Sequence, residues 1–116
     1  MFFGHTLVVL RDHFGTLGDV PPDRLQPWFE TVQVVASAVE RGLSADGAWI
    51  ALNNKVSQSV AHVHVHVVPR RFSDGLKGFF WPRQRYSDEE HMEATAEALR
   101  RAIAELRGDQ ARQPSV

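Results

Sequence analysis

His62-Val63-His64-Val65-His66-Val67-Val68-Pro69-Arg70 sets a histidine on every second residue, with valine between. Period two is the repeat of a β-strand, whose successive side chains point to opposite faces. His62, His64 and His66 therefore share one face and Val63, Val65 and Val67 the other. Valine is β-branched and favours a pleated, half-buried surface. A strand that buries its valines presents three imidazoles in a row on a stiff support. Half of the chain's six histidines fall within these five residues.

Three chemistries compete for such a row. The blandest is a surface or hydrogen-bonded core role, which suits one histidine better than three in register. A second is metal binding. Alternate strand residues lie about 6.6–6.8 Å apart, and two imidazoles at that spacing can converge on one zinc with bonds of about 2.0–2.1 Å. The remaining ligands would come from His5, His13, Asp12 or Asp74. The third is covalent catalysis. Imidazole titrates near neutrality, so a neutral ring is available to attack phosphorus. Neighbouring rings can donate hydrogen bonds to phosphate oxygens as charge develops. The middle member has a neighbour on each side, so His64 is the expected nucleophile.

The rest of the chain supplies the support. Its 116 residues make one domain of ordinary size. With 43% hydrophobic and 23% charged residues it reads as globular rather than disordered. A net charge of −1 offers no broad nucleic-acid footprint. The absence of cysteine excludes disulfides, thiol catalysis and cysteine-ligated zinc. No stretch approaches the roughly 20 apolar residues of a membrane helix, and Met1-Phe2-Phe3-Gly4-His5 lacks the form of a signal peptide. A cytoplasmic protein, bound to neither membrane nor nucleic acid, is the expectation.

His5 to Leu10 reads as a short buried strand. Pro21-Pro22-Asp23 opens a helix whose Leu25, Trp28, Phe29, Val32, Val35, Ala36 and Val39 fall at helical spacing, with Gly42 as its stop. Pro27 is tolerable there only within the first turn; further in, it bends the helix. Ala48 to Asn53 reads as a second strand, Asn54 to Gln58 as a tight link, and Ser59 to Val68 as the histidine strand ended by Pro69, an antiparallel hairpin. Arg70 to Tyr86 is a long irregular segment with Arg70, Arg71, Lys77, Arg83 and Arg85 among its basic residues; a segment of that length in a small domain covers a site or an interface. Phe79-Phe80-Trp81 within it suits a base pocket or packing. Ser87 with Glu90 forms a capping box for a last helix striped by Met92, Ala96, Leu99, Ile103 and Leu106 and stopped by Gly108. The expected fold is α+β: a small antiparallel sheet, the 22–42 helix packed on one face, and a C-terminal helix. One domain spans residues 1–108, and 109–116 is a flexible tail.

Gln58-Ser59-Val60-Ala61-His62-Val63-His64-Val65-His66-Val67-Val68 closely resembles the signature of the histidine-triad (HIT) family of nucleotide hydrolases and transferases, His-φ-His-φ-His-φ-φ preceded by Gln-(Ser/Thr)-Val-X, where φ is apolar. Gly4-His5-Thr6-Leu7-Val8-Val9 with His13, Asn53-Asn54, and Gly75 to Arg83 resemble further family segments, the last of a bacterial branch. The resemblance implies a HIT-like antiparallel sheet and cleavage of the α-phosphate linkage of dinucleoside polyphosphates or nucleoside phosphoramidates. His64 would become nucleotidylated. His62 and His66 would flank it, bonding phosphate oxygen and fixing its tautomer, and His13 would stand behind and orient the row. Gln58 and Ser59 would contact the phosphate or leaving group, and Asn53 the phosphate or ribose edge. His5 and His91 are expected in structural or surface roles. The resemblance further implies an adenine nucleotide as partner, no cofactor or obligatory metal, and a homodimer in which two sheets join. Family members carry a helix and a strand pair before Gly-His, with an acidic residue for the ribose hydroxyls; here Gly4 follows Met1 by three residues. A chain that starts there is expected to bind nucleotide more weakly and to leave a sheet edge unpaired. The alternatives are a nucleotide-binding regulatory module with little turnover and a His-X-His metal-binding protein.

Overall fold

The computed structural model describes residues 2–76 and 84–112. The chain divides into two compact units, Met1–Lys77 and Gly78–Val116. The first contains three strands and a long helix, in the order β1 (Thr6–Val9), α1 (Pro22–Gly42), β2 (Gly47–Ala51) and β3 (His64–Arg70). The second contains the helix α2 (Glu89–Arg112). This is the expected α+β class. Among the described residues, no helix is long and apolar enough to cross a membrane.

The strands form one antiparallel sheet in the order β1-β3-β2, with β3 in the middle. Val63, Val65 and Val67 are at most 1% exposed. They pack with Val8 of β1 and with Trp28, Val32 and Val39 of α1, which lies across this face. The alternation read from the sequence thus places its valines in the core. The Trp28 indole N–H donates to the Val8 carbonyl across 3.2 Å, tying α1 to the sheet from inside.

The strand bounds differ from expectation. β3 starts at His64, not Ser59, and runs through Pro69 to Arg70. Proline is disfavoured inside a sheet because it cannot donate to the ladder. Here β1 begins only at Thr6, opposite Val67, while Pro69 lies opposite Ala48 of β2. Two residues beyond Thr6 the neighbour is Gly4, in a left-handed turn (φ 84°), where a Cβ would run into Leu43 and touch the Pro69 ring. So the β1 ladder does not reach Pro69, and no pairing on that side calls for its N–H. The link from β2 to β3 is correspondingly longer. Lys55 and Ser57 take left-handed conformations in it (φ 66° and 60°).

Both helices run through residues expected to interrupt them. Pro27 lies beyond the first turn of α1, which continues to Gly42. Gly108 does not stop α2, and residues 109–112, expected in a tail, form its last turn. Glycine ends a helix by taking a left-handed φ, which Gly108 does not; inside a helix it costs only about 1 kcal/mol. The cap of α2 also shifts. Asp88, not Ser87, accepts the His91 backbone N–H at 2.7 Å, while the Ser87 N–H reaches the His91 ring at 3.2 Å. Lys77, Phe79, Phe80, Trp81 and Arg83 lie outside the described residues.

Candidate active site

Residues directly opposite in an antiparallel pair point to the same face. Leu7 lies opposite His66 and Val9 opposite His64, so these two β1 residues share the histidine face, away from α1. The result is a cleft of about 310 Å³ lined by His5, Leu7, Val9, His62, His64 and His66, with Ser59 and Val60 at its edge. Leu7 and Val9 remain 51% exposed in it. A larger hollow of about 570 Å³ lies by Asp46, Trp49 and Arg70, but its strongest charges are already paired, with Arg70 Nε 2.6 Å from Asp74.

The hydrogen bonds decide which ring nitrogens are free. A carbonyl can only accept, so the nitrogen facing it carries the proton. His62 Nε2 donates to the Leu10 carbonyl at 2.7 Å. The Val63 N–H donates to the Phe14 carbonyl, also at 2.7 Å. These two bonds hold His62 in line although β3 begins only at His64. His64, 6% exposed, donates from Nδ1 to the His62 carbonyl at 2.7 Å. In its neutral form His64 therefore keeps its lone pair on Nε2. The tautomer of His64 is fixed by the His62 backbone, not by a neighbouring ring.

His66 stands edge-on to His64, ring centroids 4.9 Å apart. Its Nδ1 is 2.9 Å from His5 Nε2. His5 was expected in a structural or surface role; the fold instead joins it to the row as a fourth imidazole. The Trp49 ring lies 6.4 Å from His66 on the other side. Partial burial, then the neighbouring His64 and His5, hold His66 below the ordinary histidine pKa. Desolvation and like charge both disfavour the imidazolium. His13 stacks on His62 at 5.1 Å, behind the row. His62 Nδ1 is buried with no hydrogen-bond partner among the described residues.

The polar residues before the row divide. Ser59 reaches the cleft. Gln58 is held by its own chain: its side-chain amide donates to the Gly15 carbonyl at 2.6 Å, and its oxygen accepts the Lys55 N–H at 2.9 Å. It thereby fastens the link to the loop after β1. Asn53 is half-buried at the end of β2, and its neighbour Asn54 accepts the Leu17 N–H at 3.0 Å. As to a metal, no group of three or more His, Cys, Asp or Glu among the described residues is arranged to hold one. Asp12 and Asp74 are instead ion-paired, to Arg24 and Arg70.

A three-stranded antiparallel sheet, one helix across its back and an imidazole row on its open face define a small α+β protein built to present histidine. The family model for the HIT domain matches residues 1–73, and the chain belongs to that family. It is 37% identical over 107 residues to an uncharacterized HIT-like protein of Mycobacterium tuberculosis, covering 88% of this chain and 71% of the relative. It is 28% identical to the adenylylsulfatase HINT3 of Arabidopsis thaliana, over 97% of this chain but 58% of that protein. Among solved structures it resembles a HIT family protein from Bacillus anthracis (TM-score 0.73, 26% identity, 86% of this chain and 73% of that one). It also resembles a zinc-bound histidine triad protein from Mycobacterium smegmatis (TM-score 0.59, 38% identity, 91% and 73%).

Proposed function

We propose that this chain is a nucleotide hydrolase or nucleotidyl transferase that cleaves at the α-phosphate of dinucleoside polyphosphates or nucleoside phosphoramidates, with His64 as nucleophile. The observation that carries the reading is the Nδ1 bond of His64 to the His62 carbonyl, which leaves the lone pair of the neutral ring on Nε2, in a residue that lines the cleft. In the proposed step Nε2 attacks the α-phosphorus, and the bond from phosphorus to the leaving group breaks with its electron pair. The leaving group takes up a proton, which the His66–His5 pair is placed to relay. Water or another acceptor then attacks phosphorus, loses a proton, and returns the lone pair to Nε2. The Ser59 hydroxyl, which lines the cleft, can donate to the phosphate oxygens. Leu7, Val9 and Val60 offer apolar surface to the nucleoside.

An adenine nucleotide is the donor we favour, because the Arabidopsis relative is named an adenylylsulfatase. A homodimer is the assembly the family resemblance implies. The test is to incubate the protein and a His64→Ala variant with a labelled adenylate donor, with and without chelator. Covalent label that disappears in the variant and ignores chelator supports the reading. Tight binding with no label would point to a regulatory nucleotide-binding module. Label or turnover abolished by chelator would point to a metal site.

A further inference from the structure

The histidine face of the sheet does not end at His66. Trp49 of β2 lies opposite Val68, the next β3 residue on that face, so its ring stands on the same side as the imidazoles. Its neighbour Ala48 packs toward the core, as alternation requires. Two ring-to-ring steps carry the row from His64 through His66 to Trp49, 4.9 Å and then 6.4 Å between centroids. Past Trp49 lies the hollow of about 570 Å³, which Trp49 and Phe72 line together. Gly47, opposite Arg70, puts no side chain into it. The charged groups of this hollow have partners within the chain. Arg70 Nε donates to Asp74 at 2.6 Å, Asp46 accepts the Phe72 N–H at 2.9 Å, and Arg71 reaches the Leu43 carbonyl. What the hollow offers a ligand is therefore ring surface, which suits a neutral aromatic group.

We propose that this hollow is the subsite for the second base of a dinucleoside polyphosphate, stacked on Trp49. The proposal rests on the reading of the imidazole cleft given above, and it chooses between the two substrate classes named there. In that reading the leaving group takes its proton by way of His66. It therefore lies on the His66 side of the phosphorus, and Trp49 is the next ring in that direction. Val68, opposite Trp49, is four residues from His64, about 13 Å along an extended strand. An amine leaving group ends well short of that distance. A nucleoside joined through several phosphates covers it. Hydrolysis then consumes one water. It yields a nucleoside monophosphate from the His64 side and, from the Trp49 side, a nucleotide carrying the remaining phosphates.

Calorimetry on the full chain tests this in a His64→Ala background, where substrate stays intact. The probes are diadenosine tetraphosphate and adenosine tetraphosphate, which differ only by the second adenosine. The His64→Ala chain is expected to bind the dinucleoside about tenfold tighter. Adding W49A should erase that ratio, W49F should keep most of it, and F72A should reduce it. Phe72 lies outside the buried core, so F72A reads the ratio without disturbing the fold. Equal affinity for the two probes in the His64→Ala chain overturns the proposal, since a site for the phosphate tail alone would behave that way. A ratio that survives both W49A and F72A overturns it as well. Adduct formation on His64 enters none of these outcomes. A chain that forms the adduct but shows no ratio loses only the second-base site, and one that shows the ratio but forms no adduct loses only the nucleophile.

Discussion

At the scale of the residue, the proposed nucleophile is oriented by backbone. His64 is held by a carbonyl two residues before it, and that geometry exists because His62 and His64 project from one face of an extended chain. Replacing His64 by alanine should remove the covalent adduct and lower turnover at least about 1,000-fold, measured by single-turnover kinetics; intact turnover would reject the nucleophile. In the proposed reaction His5 would act through His66, to which it is hydrogen-bonded. His5→Gln should lower kcat about tenfold. It should also raise the His66 pKa toward the ordinary histidine value, since a like charge is removed. Titration of the imidazole resonances reads that shift, and an unmoved His66 would leave His5 a bystander. The triad itself was legible in the sequence because period two assigns faces without reference to anything distant. His5 was not, because nothing local says that the residue before β1 returns beside His66, which is 61 positions away in the chain.

At the scale of the element, alternation, caps and breakers each had a different legibility. The valine side of β3 was readable because its pattern and its burial coincide. Val65→Ala removes two buried methyl groups from the middle of the core and should cost about 2 kcal/mol in chemical denaturation. A cost near zero would mean the valine face is not the core. Asp88→Ala should cost α2 about 1 kcal/mol of helix stability, followed by far-ultraviolet circular dichroism, and Ser87→Ala distinctly less. The reverse order would return the cap to Ser87. The sequence offered two adjacent residues of nearly equal capping strength, and the His91 ring bonding Ser87 accompanies the choice of Asp88. Pro69 misled for a related reason. Its cost depends on whether a neighbouring strand needs its N–H, and strand order is not a local property.

At the scale of the whole molecule, Asp74, Asp19 and His66 of the first unit make its stability fall in acid, in two windows: Asp19 shares the lower one, held below its ordinary 3.8 by hydrogen bonds from the Thr16 hydroxyl and backbone N–H. Asp74 is held well below its ordinary 3.8, first by its bond with Arg70 and then by backbone N–H groups. The folded chain keeps it ionised where the unfolded chain takes up a proton, so its contribution is complete above 3.8 and is lost as pH falls further. His66 lies below its ordinary 6.5. Its contribution is complete above 6.5 and drains as pH falls through the lowered value. Denaturation midpoints measured against pH should therefore decline in two stages, and Asp74→Asn should shrink the lower one, leaving the part that Asp19 contributes. A flat profile in the wild type, or an unchanged lower stage in the variant, would contradict this. The sequence by itself determined the α+β class, the valine core and the side of the strand from which the imidazoles project. Those follow from period, propensity and hydrophobicity, which operate over a few neighbouring residues. Only the tertiary structure decided that His5 completes the row, that Gln58 latches a loop, and that the Leu10 carbonyl takes the His62 proton. Each of these joins residues far apart in the chain, and no local pattern records which carbonyl a distant ring will meet.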